Sequence, residues 1–184
     1  MTSAARPSPA DLEAARDKVI PDVIGPGLRV LFSGINPGLY SAAVGYHFAR
    51  PGNRFWPALH QSGFTPRQFR PDEQDQLLGL GLGITNVAAR ATARADELSD
   101  AELLDGGRIL AAKVARFHPG WLAVVGVTAF RVAFGRREAT VGPQDDRIGE
   151  TRLWVLPNPS GLNASYQIDR LAAEFGRLRA AATE

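Results

Sequence analysis

Asn36 stands between two glycines in "GINPG", residues 34–38, directly after the apolar run Leu28–Phe32. Its carboxamide carries both a donor and an acceptor, so it can orient a water or pair with the edge of an amide-bearing ring. It is no strong general base. A plain turn needs one Gly or Asn for a positive-φ position. Gly34, Asn36, Pro37 and Gly38 exceed that need. Two readings stay open at this point: a ligand approaches the backbone here, or the turn is merely structural. The stretch matches neither the dinucleotide fingerprint nor the P-loop.

Two further stretches carry chemistry. "GYHFARPGNRFW", residues 45–56, mixes aromatic side chains with Arg50 and Arg54. Phe55 and Trp56 read as core. Phe48, outside the helix that follows, reads as a platform on which a flat ligand stacks, with an arginine near phosphates. His47 reads as a loop histidine and not a catalyst. "NPSGLNAS", residues 158–165, has Ser160 without the G-x-S-x-G elbow, which leaves a serine hydrolase unsupported. With a flexible Gly161 and an apolar Leu162 at its tip, the loop reads as a wedge of the kind that enters base stacks. No His, Asp or Glu group has metal-ligand spacing, so no metal and no cofactor are expected.

The elements that must position these residues follow from patterning. "SPADLEAARDKVI" predicts a short helix capped by Ser8 with Pro9 in its first turn. "LRVLFSG", "GIT" at 83–85, "WLAVVG" and "RLWVLPNPSG" read as buried strands. "NRFWPALHQSGF" predicts a helix capped by Asn53 and stopped near Gly63; "PDEQDQLLGLG" predicts another short helix. "SDAELLDGGRILAAKVARF" carries a Ser99–Glu102 capping box and an apolar face of Leu103, Ile109, Leu110 and Val114. The Gly106-Gly107 pair weakens that helix, so close packing is expected there. "VTAFRVAFG" predicts a helix, and "SYQIDRLAAEFGRLRAAA" a closing one with Ile168, Leu171, Phe175 and Leu178 on one side. Continuous apolar strands alternating with helices imply an α/β fold with a mostly parallel sheet covered on both faces. Ligands then bind beyond the carboxyl ends of the strands. "GINPG", Thr85-Asn86 and "PNPSGLNAS" all fall on that rim.

The whole chain bounds what the rim can do. At 184 residues with 45% hydrophobic and 22% charged residues, one globular domain is expected. No run approaches the ~20 apolar residues of a bilayer span, and "MTSAARPSPADLEAARDKVI" lacks the apolar core of a secretory signal, so no membrane contact and a cytoplasmic location are expected. The chain has no cysteine, which excludes thiol catalysis and thiolate metal sites. A net charge of +2 does not announce a nucleic-acid binder by itself. Lys18 and Lys113 are the only lysines, and arginine is the better phosphate fork, though high-GC coding gives the same bias.

"GINPG", "FARPGNRFW", "GITN", "GGRIL" and "LPNPSGLNAS", in this order, resemble the mismatch-specific uracil/thymine DNA glycosylases. That is the bacterial Mug and thymine-DNA glycosylase branch of the uracil-DNA glycosylase superfamily. The likeness runs from about Leu28 to the last helix. It implies a three-layer α/β/α domain over residues 27–184, after an N-terminal extension with a short helix over 1–26. It implies a monofunctional, metal-free enzyme that flips uracil from mismatched duplex DNA and leaves an abasic site, acting as a monomer on double-stranded DNA containing mispaired uracil. Thymine and exocyclic cytosine adducts are further expected substrates.

By the same resemblance Asn36 positions the attacking water, and backbone amides around Ile35 to Gly38 hold the pyrimidine carbonyl. Phe48 stacks on the base, Gly38 leaves room at its 5-position, and Asn158 lies at the mouth. Leu162 fills the gap in the stack, with Ser160, Gly161 and Asn163 around the widowed base. Two positions depart from the pattern. Ala164 stands where bacterial relatives commonly carry arginine, which puts strict dependence on opposite guanine in doubt. Asn86 stands where some carry lysine, which implies different wiring behind the water. Asp96 in "ARADELS" is the candidate carboxylate that compensates for Asn36, its plainer role being to precede the Ser99 cap. The competing expectations are a nucleotide- or nucleoside-binding α/β enzyme that ignores DNA, and a non-catalytic DNA-binding module.

Overall fold

The computed structural model describes residues 5–184. The first four residues of the expected N-terminal extension lie outside the described residues. Strands β1 (Val30–Gly34), β2 (Leu82–Asn86), β3 (Trp121–Val125), β4 (Gly142–Ile148) and β5 (Thr151–Leu156) form one sheet in the order β2-β1-β3-β5-β4. All neighbours are parallel except β4 and β5. Helices α1 (Pro9–Ala14), α2 (Leu39–Val44), α3 (Phe55–Gln61), α4 (Asp100–Phe117), α5 (Val127–Ala133) and α6 (Ile168–Ala182) surround it.

Alternation along β1 sets the layers. Val30 and Phe32 face one side, where α3 and α6 supply Phe55, Leu59, Phe175 and Leu178. Phe32 meets Phe55 and Phe64 edge-on at 5.5 and 5.4 Å and stacks on Phe175. Leu31 faces the other side, against Leu110, Val114 and Phe130 of α4 and α5. β1 is thus apolar on both faces, as expected for a parallel sheet between helical layers. The expected α/β/α architecture is the observed one.

The glycine pair of α4 is a packing device. A Cβ on Gly106 would lie 2.1 Å from the Val87 carbonyl oxygen, and one on Gly107 2.3 Å from that of Ala133. Backbone meets backbone here, so the helix spends propensity to come close. The expected face of α4 is otherwise corrected at Ile109, which is 64% exposed. The buried stripe runs Leu103, Gly106, Gly107, Leu110 and Val114, and Ile109 lies about 100° away from Leu110.

Three further expectations shift. Residues Pro71–Leu80 form 3₁₀ turns and not an α-helix; Gln74 and Leu77 are the buried pair, a three-residue spacing that suits the tighter helix. The α3 cap is Arg54 and not Asn53, whose Oδ1 instead accepts from the Phe55 amide. Strand β4 was not expected, because "GPQDDRI" is polar and poor in strand formers. It forms because Gly149, at φ 59°, turns the chain between paired Ile148 and Thr151.

The segment before β1 packs on the domain. Val23 bridges Ile84 of β2 through both amides, and Asp22 accepts from the Thr85 hydroxyl at 2.8 Å and pairs with Lys113.

Candidate active site

The carboxyl ends of β1, β2, β3 and β5 open on one cleft of about 380 Å³. Ile35, Asn36, Gly38, Phe48, Asn86, Asp96, Asn158, Ser160 and Leu162 all line it. Gly161 lines an adjoining hollow with Arg50–Asn53. Asn163 lines neither; its amide nitrogen donates to the Asn158 carbonyl at 3.0 Å and braces the loop from behind. Segments about 120 residues apart in sequence thereby share one rim, because parallel strands all end on the same side.

The Asn36 side chain has a fixed orientation. Its Nδ2 donates to the Arg90 carbonyl at 2.9 Å and to the Thr92 hydroxyl at 2.8 Å. The Thr92 hydroxyl gives its own proton to the Arg94 carbonyl at 2.7 Å, so it can only accept from Asn36. Both amide hydrogens are therefore spent, and Oδ1 remains as an acceptor with no donor among the described residues. The loop's main chain is similarly sorted. Carbonyls of Gly34, Ile35 and Pro37 accept from the amides of Val87, Ala88 and Thr92. These three carbonyls are thereby engaged by the segment that follows β2.

Below the cleft, Gly34 and Asn86 sit side by side in register. A Cβ at Gly34 would lie 2.5 Å from Asn86 Oδ1 and 3.2 Å from the Phe48 ring. A side chain at the first glycine of the motif would therefore displace the Asn86 amide and crowd Phe48. The second is different: nothing lies within 4 Å of a Cβ at Gly38. Phe48 holds a left-handed backbone at φ 52°, a costly state for an aromatic residue. Its ring stacks on Phe55 at 4.1 Å and 22°, which anchors it.

His47 is buried in this floor and is more than a loop residue. Its Nε2 lies 3.0 Å from the Pro21 carbonyl, which can only accept, so Nε2 carries the proton. The bare Nδ1 then accepts from Asn86 Nδ2 at 3.4 Å. Burial holds the imidazole below its ordinary value of 6.5, against the opposing pull of the Pro21 bond and of Asp22. Asp96 stands apart from this wiring. Its side chain is 74% exposed on the lip and pairs with Arg94 at 3.1 Å.

The loop after β5 is built of short-range bonds. Asn158 Oδ1 accepts from the Ser160 amide at 2.9 Å, and Ser165 N donates to Asn163 Oδ1. Leu162 at its tip is 80% exposed. Gly161 is not there for flexibility: a Cβ would meet the Gly52 carbonyl oxygen at 2.8 Å. Of the two arginines in the stretch expected to place one near phosphates, Arg54 turns its guanidinium inward to the carbonyls of Ser160, Asn163 and Tyr166. Arg50 is exposed and lines the cleft. Thr92, Arg90 and the burial of His47 escaped sequence reasoning. They lie in loops, where no periodicity marks a buried polar group.

A family model described as the uracil DNA glycosylase superfamily matches residues 21–178. Among solved structures, the chain is similar to the solution NMR structure of a "putative Uracil DNA glycosylase" from Methanosarcina acetivorans. The two share 17% identity with a TM-score of 0.63, over 91% of this chain and 99% of that one. At that identity the likeness shows a common fold.

Proposed function

This chain belongs to the uracil DNA glycosylase superfamily, and on that ground we propose that it excises uracil from mismatched duplex DNA, with thymine and exocyclic cytosine adducts as further substrates. One observation carries the reading to this site. Asn36 has both amide hydrogens committed and its Oδ1 left over, in the same cleft as Leu162.

The mechanism follows from that arrangement. A base in a duplex must leave the stack, at a cost of a few kcal/mol that mispairing lowers. Leu162 enters the vacancy, and Phe48 stacks on the flipped base. A water held by Asn36 Oδ1 attacks the anomeric carbon as the bond to the base nitrogen breaks. The bonding pair leaves on the base, where it spreads onto a ring carbonyl. Main-chain N–H groups around Ile35 to Gly38, Pro37 having none, stabilise that charge, the carbonyls of Gly34, Ile35 and Pro37 being engaged elsewhere. The water's proton passes to solvent, and solvent protonates the departed base. The open space at Gly38 admits a 5-substituent, which supports tolerance beyond uracil. Asn158 and Asn86 offer amide groups to the base edge. Asp96, exposed on the lip of the same cleft and bonded to Arg94, is the carboxylate that relays the water's proton to solvent in this reading.

The test is direct. The purified chain incubated with G·U duplex yields alkali-labile breaks at the uracil, and far fewer in a G·C control. Failure to release base from any mispaired uracil substrate overturns the reading. A nucleotide-binding enzyme that ignores DNA is the second reading. The exposure of Leu162 disfavours it, because a small-molecule site has no need of an apolar plug on its rim.

A further inference from the structure

We infer that Arg54 is the positioning residue of the Leu162 loop and sets how well this protein works on duplex as against single-stranded DNA; the inference rests on the glycosylase reading above. Arg54 Nη1 donates to the Tyr166 carbonyl at 2.5 Å. Nη2 donates to the carbonyls of Ser160 at 2.6 Å and Asn163 at 2.8 Å. Its main-chain amide donates to the Pro159 carbonyl at 2.9 Å. One residue thus fastens the loop on both sides of Leu162.

The chemistry of the clamp is specific. Hydrogen bonds from a charged donor are stronger than neutral ones. Among the described residues no carboxylate pairs with Arg54, so its charge is answered by loop carbonyls alone. Nη2 reaches carbonyls on both sides of the tip while Nη1 holds Tyr166 further along, and the single nitrogen of a lysine ammonium cannot occupy both places. Its base is rigid, since Arg54 caps α3 and the next residue, Phe55, is fully buried. The loop packs from the other end as well, with Gly161 against Gly52.

A plug that must enter a base stack loses conformational freedom when it does so, and a loop already held in place loses less. A single strand has no vacancy to prop open. Loosening the clamp therefore weakens duplex processing more than single-strand processing. A phosphate-contacting arginine behaves otherwise: lysine substitutes in part, and the salt dependence becomes shallower by about one charge.

The experiment is single-turnover excision by the parent, Arg54→Lys and Arg54→Gln on uracil in a G·U duplex and in a single strand, over a range of salt. Hydrogen exchange of residues 158–166 accompanies it. Both variants are expected to lower the duplex-to-single-strand rate ratio about tenfold, with an unchanged salt slope and faster exchange in the loop. An unchanged ratio overturns the inference, as does rescue by lysine with a shallower salt slope. If a variant does not fold, Gly161→Ala, which crowds the same loop against Gly52, must show the same fall in ratio and the same faster exchange. A parent chain that releases uracil from neither substrate defeats the glycosylase reading, and this inference falls with it.

Discussion

The Asn36 amide nitrogen lies 2.8 Å from the Thr92 hydroxyl, and that hydroxyl passes its own proton to the Arg94 carbonyl. The catalytic candidate is therefore oriented by a buried threonine in the wall of the same cleft. Thr92→Val removes the acceptor and lets the amide turn. Excision is expected to fall about tenfold, the size of one lost hydrogen bond, while Thr92→Ser stays close to the parent. Single-turnover rates on a G·U duplex decide it; equal rates for the valine and serine variants would show that the orientation is held elsewhere.

The two glycines of the motif are expected to respond in opposite ways. Gly34→Ala drives a methyl into Asn86 Oδ1 and against the Phe48 ring; the Asn86 amide end turns aside, so stability falls by only about 1 kcal/mol while the displaced amide lowers excision. Gly38→Ala meets nothing and sits at an ordinary φ of −74°, so stability is kept. Gly38→Tyr fills the open space and raises the preference for uracil over thymine. Thermal melting separates the first pair, and competition between the two substrates tests the last variant.

Leu162→Ala keeps the cleft and removes the exposed plug. Excision from duplex is expected to drop about tenfold or more, and from a single strand by much less. Equal losses on the two substrates would remove the plug from the mechanism.

Most of this fold was legible because its parallel strands are short, apolar and separated by helical segments, the longest of them marked by the Ser99–Glu102 capping box. The rim was legible for the same reason: parallel strands put "GINPG", Asn86 and Asn158 at one end without any knowledge of contacts. What sequence could not show was partnership. Nothing in "RATARADELS" marks Thr92 as buried and bonded to Asn36. Arg54 has the composition of a phosphate ligand, and only geometry shows it facing its own chain. Strand β4 stayed hidden because an edge strand need not be apolar; pairing with β5 supplies what propensity does not.

His47 makes stability depend on pH in a defined window. Above its ordinary value of 6.5 the imidazole is neutral whether the chain is folded or not. As pH falls below 6.5 the unfolded chain takes up a proton that the buried ring refuses, so the unfolded state gains and stability declines until the lower folded value is reached. Glu73 and Glu102, both at about 2 through their arginine partners, lose their contributions only below 4.5, which keeps the windows apart. His47→Gln is expected to melt lower at neutral pH, having lost a buried ring, but to lose less on going from about pH 7 to about pH 5. A parallel decline in parent and variant would place the titration on another group.

The last expectation joins the core to the site. Gly106→Ala adds about 1 kcal/mol of helix propensity. Its methyl would also stand 2.1 Å from the Val87 carbonyl oxygen, and a backbone atom cannot step aside as a side-chain end can. The clash outweighs the propensity, for a net loss of about 2–3 kcal/mol. Val87 follows Asn86 directly and donates its amide to Gly34 at 2.9 Å. Relief of the clash must therefore move the end of β2 or the helix. If β2 gives way, Asn86 and the floor under Phe48 shift with it, and excision falls together with the melting temperature. If α4 slides instead, the melting temperature falls while the rate per folded molecule holds, and the glycine pair would serve the fold without serving the cleft.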